Sequence, residues 1–92
     1  MKGAIEVFTK YLAKEVGSRG ITANVVAPGI TKTDFTKATL SHEGLEEFMS
    51  SQTALGRVGV PEDIAGIISF LCSEDARWIN AQRIEVSGGL FL

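Results

Sequence analysis

The sequence predicts an α/β protein whose elements run helix, strand, lobe, helix, strand, and three observations support this prediction. Apolar residues recur at helical spacing between Ala4 and Val16. A run rich in β-branched residues at 21–27 ends at a Pro-Gly pair, which is typical of a strand. Pro61 begins a second helical pattern, and an alternating strand pattern follows at 83–86. Because strand, helix and strand in this order form a parallel pair, we expect a small parallel sheet.

The first helix carries apolar residues on more than one side. Ile5, Phe8 and Leu12 form one stripe at helical spacing, and Tyr11 belongs to a second strip beside it. Gly17 ends the pattern, because glycine is a common residue just after a helix. We therefore expect neighbouring elements or a partner to cover this helix, and we interpret Tyr11 as a packing or interface residue.

The first strand pattern, at 21–27, has small or apolar side chains on both faces. Ala23 and Val25 fall on one face, whereas Asn24 and Val26 fall on the other. This composition suits an inner strand of a parallel sheet that is covered on both sides. Its free edge is then expected to need a neighbouring strand.

A more polar, irregular lobe follows at 34–55. Ser41 is placed to cap a short helix in this lobe, and Glu43 would interact favourably with the positive end of that helix. The lobe contains the apolar residues Leu40, Leu45, Phe48 and Met49. They could line a pocket, but since the sequence supplies no opposite wall for it, we interpret them as packing residues or as disordered.

The second long helix has a strong start signal. Pro61 suits the first turn, and Glu62 and Asp63 place two acids at the positive end of the helix dipole. Cys72 lies in the apolar run near the end of this helix, and we expect it to be buried, as most free cysteines are. The strand at 83–86 then alternates polar and apolar residues, which predicts one better-covered face.

Composition excludes several classes of function. The 92 residues carry a net charge of −2 with scattered lysines and arginines, whereas a nucleic-acid interface needs a basic stripe. Apolar stretches are shorter than the roughly 20 residues that cross a membrane, and the first residues do not resemble a secretion signal. We therefore expect a cytoplasmic protein without nucleic-acid or membrane partners. The single cysteine excludes an internal disulfide, and His42 is interpreted as solvated, so no metal site is expected.

Five segments carry motifs at the joints between these elements. In chain order they are KGA at 2–4, RGITANVVAPG at 19–29, TD at 33–34, GRVGVPEDIA at 56–65 and NAQRIEVSGG at 80–89. Together they resemble the C-terminal portion of a short-chain dehydrogenase/reductase. The resemblance extends over essentially all of the chain, so residues 1–92 are interpreted as one partial domain of that family. It implies a partial Rossmann-like fold, the C-terminal βαβ part of a doubly wound parallel sheet, in which residues 34–55 correspond to the substrate lid.

Two positions depart from the family pattern. Asn80-Ala81 stands where the family often has Thr-Gly, and Ser87 stands where it often has Asp. Since alanine disfavours a positive φ angle, the turn at Ala81 is expected to differ from the family's turn.

Members of this family are NAD- or NADP-dependent oxidoreductases that move a hydride between nicotinamide and a carbonyl or alcohol carbon. In them a tyrosine is the acid/base, and a lysine four residues later lowers its pKa and holds the nicotinamide ribose. The resemblance makes Lys2 this catalytic lysine, orphaned because its tyrosine partner would precede Met1. Tyr11 cannot replace that tyrosine, since it follows the lysine and belongs to the helical pattern.

The resemblance also assigns residues that bind the cofactor. They are Lys2, Pro28, Gly29, Ile30, Thr31 and Thr33. An alternative interpretation is that Pro28-Gly29 only ends the strand. The sequence contains neither the family's catalytic serine nor the strand–glycine turn–helix motif that holds a dinucleotide pyrophosphate. We therefore expect that the chain alone is inactive and binds no NAD or NADP.

The sequence begins inside a helical pattern, with no capping residue before Lys2. One hypothesis is therefore that the chain is part of a longer oxidoreductase, in which Met1 is an internal methionine. A second is a non-catalytic module that forms homo-oligomers through helix 4–16 and the C-terminal strand and tail, because apolar residues there would be exposed in a monomer. A third is a complementing subunit, for which another chain supplies the glycine-rich turn, the serine and the tyrosine.

Overall fold

The computed structural model describes residues 2–92, with the backbone alone for Lys2. It confirms the predicted order of helix, strand, lobe, helix and strand, and it divides the lobe between two short helices. The elements are α1 (Lys2–Val16), β1 (Val25–Pro28), α2 (Lys37–Leu40), α3 (Leu45–Ser51), α4 (Pro61–Leu71) and β2 (Arg83–Val86). Short 3₁₀ turns follow α1 and α4.

The sheet is a parallel pair of β1 and β2, as predicted. The Val25 N–H donates to the Gln82 carbonyl at 2.8 Å, and further along the Gly29 N–H donates to the Val86 carbonyl at 3.0 Å. Because both partners advance in the same direction, the strands are parallel.

Strand β1 is shorter than the predicted run over 21–27. Side chains replace the ladder at its beginning: the Ala23 N–H donates to Asn80 Oδ1 at 3.0 Å, and Asn24 Nδ2 donates to the Ile79 carbonyl at 3.1 Å. Asn24 Oδ1 in turn accepts the Gln82 N–H at 2.9 Å. Asparagine commonly satisfies backbone groups in this way, which explains why the regular strand starts later.

The turn before β2 does not show the change that was expected at Ala81. Alanine was expected to change this turn, yet Ala81 adopts a φ of 59°, in the left-handed region. Its N–H donates to the Ala23 carbonyl at 2.8 Å, which holds the residue in that conformation. The turn therefore keeps a glycine-like backbone at a steric cost to alanine.

The chain divides into two compact units. The first runs through Ala27 and resumes over Ile67–Ile84. Its buried residues are small ones, namely Thr9, Ala13 and Ala76. The apolar stripe predicted on α1 does not form this core, because Phe8 is 66% exposed and Ile5 is 49% exposed. The expectation that this stripe would be exposed in a monomer is confirmed for the described chain.

The second unit comprises Pro28–Gly66 and Glu85–Leu92, and it contains the lobe. Its buried side chains are Leu40, Thr53 and Val58. The cap predicted at Ser41 is wrong: α3 begins after Gly44 at φ 78°, and Ser41 instead follows α2, where its hydroxyl donates to the Ala38 carbonyl at 2.6 Å. This polar stretch forms two consecutive short helices, and Ser41 alone did not indicate where the first ends and the second begins.

Helix α4 begins at Pro61 with Glu62 and Asp63 in its first turn, as predicted. The expected burial of Cys72 is wrong, because this thiol lies just beyond the helix and is exposed. Among residues 2–92, no helix is both long and apolar enough to cross a membrane.

Candidate functional site

The candidate site is the loop that leaves β1, where Pro28, Gly29, Ile30, Thr31 and Thr33 lie in sequence. Strand β1 ends at Pro28, and β2 ends at Val86 beside it, since the Gly29 N–H donates to the Val86 carbonyl. The carboxyl ends of both parallel strands therefore meet at this loop. Open parallel sheets bind their ligands outside these ends.

Gly29 is needed by the packing at this edge. A Cβ atom on Gly29 would lie 2.8 Å from the Cα and 2.9 Å from the Cβ of Ser87, the first residue after β2. Backbone atoms this close cannot move aside as a flexible side chain can. The requirement for glycine thus follows from the closeness of the two strand ends, in agreement with the interpretation that Pro28-Gly29 ends the strand.

The loop is braced on one side by Gly59. The Gly59 N–H donates to the Ile30 carbonyl at 2.9 Å, and the Lys32 N–H donates to the Gly59 carbonyl at 2.8 Å. These two bonds form a parallel bridge between Thr31 and Gly59. The Thr31 hydroxyl is also engaged, since it donates to the Gly29 carbonyl at 3.1 Å. The backbone over 29–32 is therefore well supported.

Thr36 braces the loop on the other side. Its hydroxyl donates to the Thr31 carbonyl at 2.6 Å and accepts the Thr33 N–H at 2.8 Å. The Thr36 N–H in return donates to the Thr33 hydroxyl oxygen at 3.2 Å. Thr31, Thr33 and Thr36 are all half-buried. Sequence reasoning did not single out Thr36, although its spacing of three from Thr33 was a readable signal for such a turn.

Arg57 and Asp63 hold the segment that carries Gly59. Two guanidinium nitrogens of Arg57 donate to the Asp63 carboxylate at 2.7 and 3.0 Å, and Asp63 Oδ2 also accepts the Val60 N–H at 2.8 Å. An acid that accepts a backbone N–H just before a helix is half of a capping box. The hydrogen bonds from Arg57 and then from Val60 lower the pKa of Asp63 to about 2.

This lowered pKa predicts how the start of α4 responds to acid. The folded pKa of Asp63 is about 2 against an ordinary 3.8, so the stabilising contribution is present above about pH 4 and is lost as the pH falls toward 2. We expect the Val60 amide chemical shift to titrate with a midpoint near pH 2. In Asp63→Asn that transition should disappear, whereas Asp34→Asn, a change at an exposed carboxylate, should leave it in place. A Val60 midpoint near 4 would contradict the assigned pairing.

An open cavity of about 710 Å³ lies beside the loop. It is lined by Lys32, Thr33, Asp34, Phe35, Lys37 and Pro61. The Lys32 ammonium forms an ion pair with Glu46 at 3.1 Å, and the Phe35 ring is 93% exposed. The apolar lobe residues Leu40, Leu45, Phe48 and Met49 are not among its lining residues. The lining therefore combines a hydroxyl, two lysines and a carboxylate with the apolar Phe35 and Pro61.

The other predicted residues do not extend this site. The side chain of Lys2, the predicted catalytic lysine, lies outside the described residues. Tyr11 is 69% exposed on α1, so it is not a core residue of the described chain, and the interface interpretation stays a prediction. His42 is exposed, as expected. Across residues 2–92, no cluster of His, Cys, Asp or Glu side chains could hold a metal ion.

Comparison with known proteins adds three similarities. A family model described as enoyl-(acyl carrier protein) reductase matches residues 1–91. The 3-oxoacyl-(acyl-carrier-protein) reductase of Aquifex aeolicus is 46% identical over 90 residues, which are 98% of this chain and 36% of that protein. Dehydrogenase/reductase SDR family member 4 of Homo sapiens is 44% identical over 88 residues, which are 96% of this chain and 32% of that protein.

Solved structures agree with the sequence comparison. The angucycline C-6 ketoreductase with bound NADP matches with a TM-score of 0.87 and 40% identity, over 98% of this chain and 34% of that one. At this identity the similarity covers both fold and sequence. The chain spans about a third of the length of the curated relatives it matches.

Proposed function

Because the chain belongs to the short-chain dehydrogenase/reductase family, we propose that its 92 residues form the C-terminal part of a nicotinamide-dependent oxidoreductase domain. In this proposal residues 1–92 are one partial Rossmann-like domain, and residues 34–55 are its substrate lid. The reaction is hydride transfer between nicotinamide and a carbonyl or alcohol carbon.

The observation that carries this proposal is the loop at the carboxyl ends of the two parallel strands. Gly29 is held against the end of β2, and residues 30–33 are held by hydrogen bonds to Gly59 and Thr36. A preformed loop at this edge of a parallel sheet is where such folds bind nucleotides. A similar ketoreductase was solved with bound NADP, which supports a nicotinamide cofactor for this family.

In this proposal the loop and the adjacent cavity hold one end of NAD or NADP. Thr33 and Lys37, which line the adjacent cavity, would offer a hydroxyl and an ammonium donor to amide and phosphate oxygens. When bound, the nicotinamide supplies or accepts the hydride. The chain's own residues would bind and orient it. The backbone of the loop at residues 28–31 would lie against the nicotinamide, and the Thr33 hydroxyl would donate a hydrogen bond to an oxygen of the cofactor.

Lys2 has the remaining role in this proposal. Its ammonium group would hold the nicotinamide ribose and stabilise the ionised form of the tyrosine that donates the proton. The 92 residues include Tyr11 as their single tyrosine, on the wrong side of Lys2 for that purpose. The polypeptide of these 92 residues is therefore proposed to be inactive and to bind no cofactor by itself.

A chimera tests the proposed function. Residues 1–92 would replace the matching segment of the Aquifex aeolicus reductase, with NADPH and a 3-oxoacyl thioester as substrates. We expect no NADPH oxidation by the 92-residue polypeptide and measurable oxidation by the chimera. Within the chimera, Lys2→Ala should lower kcat by about 100-fold or more, because a group that assists proton transfer contributes that much.

Controls separate the possible outcomes. Lys10→Ala removes a second lysine from the same helix and should leave kcat unchanged. A folded but inactive chimera, or turnover by the 92 residues alone, would contradict the proposal. Activity restored by mixing the polypeptide with a separate N-terminal segment of the reductase would favour a complementing subunit.

A second candidate function, self-association, is favoured by the exposed apolar surface of α1. Val7 is 53% exposed, Phe8 66% and Tyr11 69%, and the tail adds Phe91 and Leu92 at 62% and 100%. Exposed apolar side chains grouped in this way on α1 are typical of interaction sites. We propose a homo-oligomer formed through helix 4–16 and the C-terminal strand and tail, and this role is compatible with the first.

A further inference from the structure

We propose that Thr36 is a positioning residue that presents the Thr33 hydroxyl as a hydrogen-bond donor to an acceptor oxygen of the bound cofactor. This inference rests on the proposed function and assigns a role to a residue that does not itself line the cavity. It follows from the directions of the hydrogen bonds among Thr31, Thr33 and Thr36.

Thr36 has a single hydroxyl hydrogen to donate. The Thr31 carbonyl lies 2.6 Å from its oxygen, whereas the Thr33 carbonyl lies 3.3 Å away. The shorter contact takes the hydrogen, because hydrogen bonds between oxygens are strongest near this distance. The Thr36 oxygen is then left as an acceptor, and the Thr33 N–H occupies one of its lone pairs at 2.8 Å.

The direction of the Thr33 hydroxyl follows from this arrangement. Its oxygen accepts the Thr36 N–H at 3.2 Å, a hydrogen that the Thr33 carbonyl shares at the same distance, and this contact engages a lone pair of the hydroxyl. Its hydrogen can only rest on the Thr36 oxygen, 3.2 Å away, or turn toward the cavity. A ligand that offers an acceptor oxygen therefore meets a donor at Thr33. Amide and phosphate oxygens are such acceptors, and both occur in NAD and NADP.

Thr36 also fixes where this donor stands. It joins Thr31 and Thr33 through one side chain, so the chain between them cannot swing away from the cavity without losing two hydrogen bonds. The Gly59 bridge holds the other side of the same segment. Loss of the Thr36 hydroxyl would free the Thr33 end of the loop alone, which makes the effect local.

Amide hydrogen exchange of the 92-residue chain tests the positioning without any cofactor. Thr36→Val keeps the shape of the side chain but removes the hydroxyl, and it should raise the exchange rate of the Thr33 amide about fivefold to tenfold, the cost of one hydrogen bond. Thr36→Ser should retain the protection. Thr39→Val, at an exposed threonine on α2, is the matched control and should change nothing at Thr33. Unchanged exchange in Thr36→Val would overturn the inference.

The chimera with the Aquifex aeolicus reductase tests the role toward the cofactor. Thr36→Val should raise KM for NADPH about fivefold to tenfold with a smaller change in kcat, and Thr36→Ser should restore it. Faster exchange at Thr33 with an unchanged KM would overturn the cofactor role. An inactive parent chimera would instead overturn the proposed function, and the exchange result would still decide whether Thr36 positions the loop.

Discussion

Gly29→Ala is expected to destabilise the chain. Among the described glycines with a negative φ angle, Gly29 is the position at which an added methyl group should cost the most stability. The added Cβ would lie 2.8 Å from the Ser87 Cα and 3.1 Å from its carbonyl oxygen, so the two strand ends would have to separate. Overpacking of this kind costs about 1–3 kcal/mol, which lowers the melting temperature by roughly 5–20 °C in a domain this small. Thermal unfolding followed by circular dichroism measures the change.

Gly66→Ala is the matched control for this substitution. Gly66 lies inside α4, where an added Cβ would have no other atom within 4 Å. Alanine is a better helix former than glycine, so this change should stabilise the chain by about 0.5–1 kcal/mol. The same chemical change should therefore have opposite signs at the two positions. Equal effects would show that the strand ends do not approach as described.

Phe8→Lys is expected to dissociate the proposed oligomer. Phe8 is 66% exposed on α1, and a symmetric interface buries the same residue from each copy. Burial of a phenylalanine side chain contributes about 1.5–3 kcal/mol, and at this exposure two copies lose roughly 2–4 kcal/mol together. The dissociation constant should then rise about 30-fold to 1,000-fold. Light scattering after size-exclusion chromatography, over a range of concentrations, measures it.

Phe35→Lys is the control for the oligomer experiment. Phe35 is 93% exposed, but it lies beside the candidate site and outside the proposed interface. Its replacement should leave the dissociation constant unchanged, so a general loss of apolar surface is separated from loss of the interface. A parent chain that is a monodisperse monomer at micromolar concentration would refute self-association through α1.

Relatively strong local signals explain which elements were predicted well. Pro61 with the two following acids marked the start of α4, and Gly17 marked the end of α1, because these residues act on backbone groups next to them. Local signals failed where two solutions competed. Ser41 can cap a helix or end one, and the lobe used it at the end of α2.

Burial was harder to predict than secondary structure. The apolar period of α1 located a stripe through Phe8, but the buried positions are Thr9 and Ala13. A hydrophobic pattern shows which face of a helix is apolar, whereas the neighbouring elements determine which face is buried. Cys72 shows the same limit, since an apolar run favoured burial and the described chain leaves the thiol exposed.

The sequence by itself determined the order of elements, the parallel pair and the family, because helix and strand periods and motif residues are local properties of a chain. Only the tertiary structure decided what holds the candidate loop. The contact of Gly29 with Ser87 and the bridge of Thr31 with Gly59 join residues that are distant in sequence. The distances between these residues depend on how the chain folds back to the same edge of the sheet, and the residue periodicity of the sequence carries no information about that path.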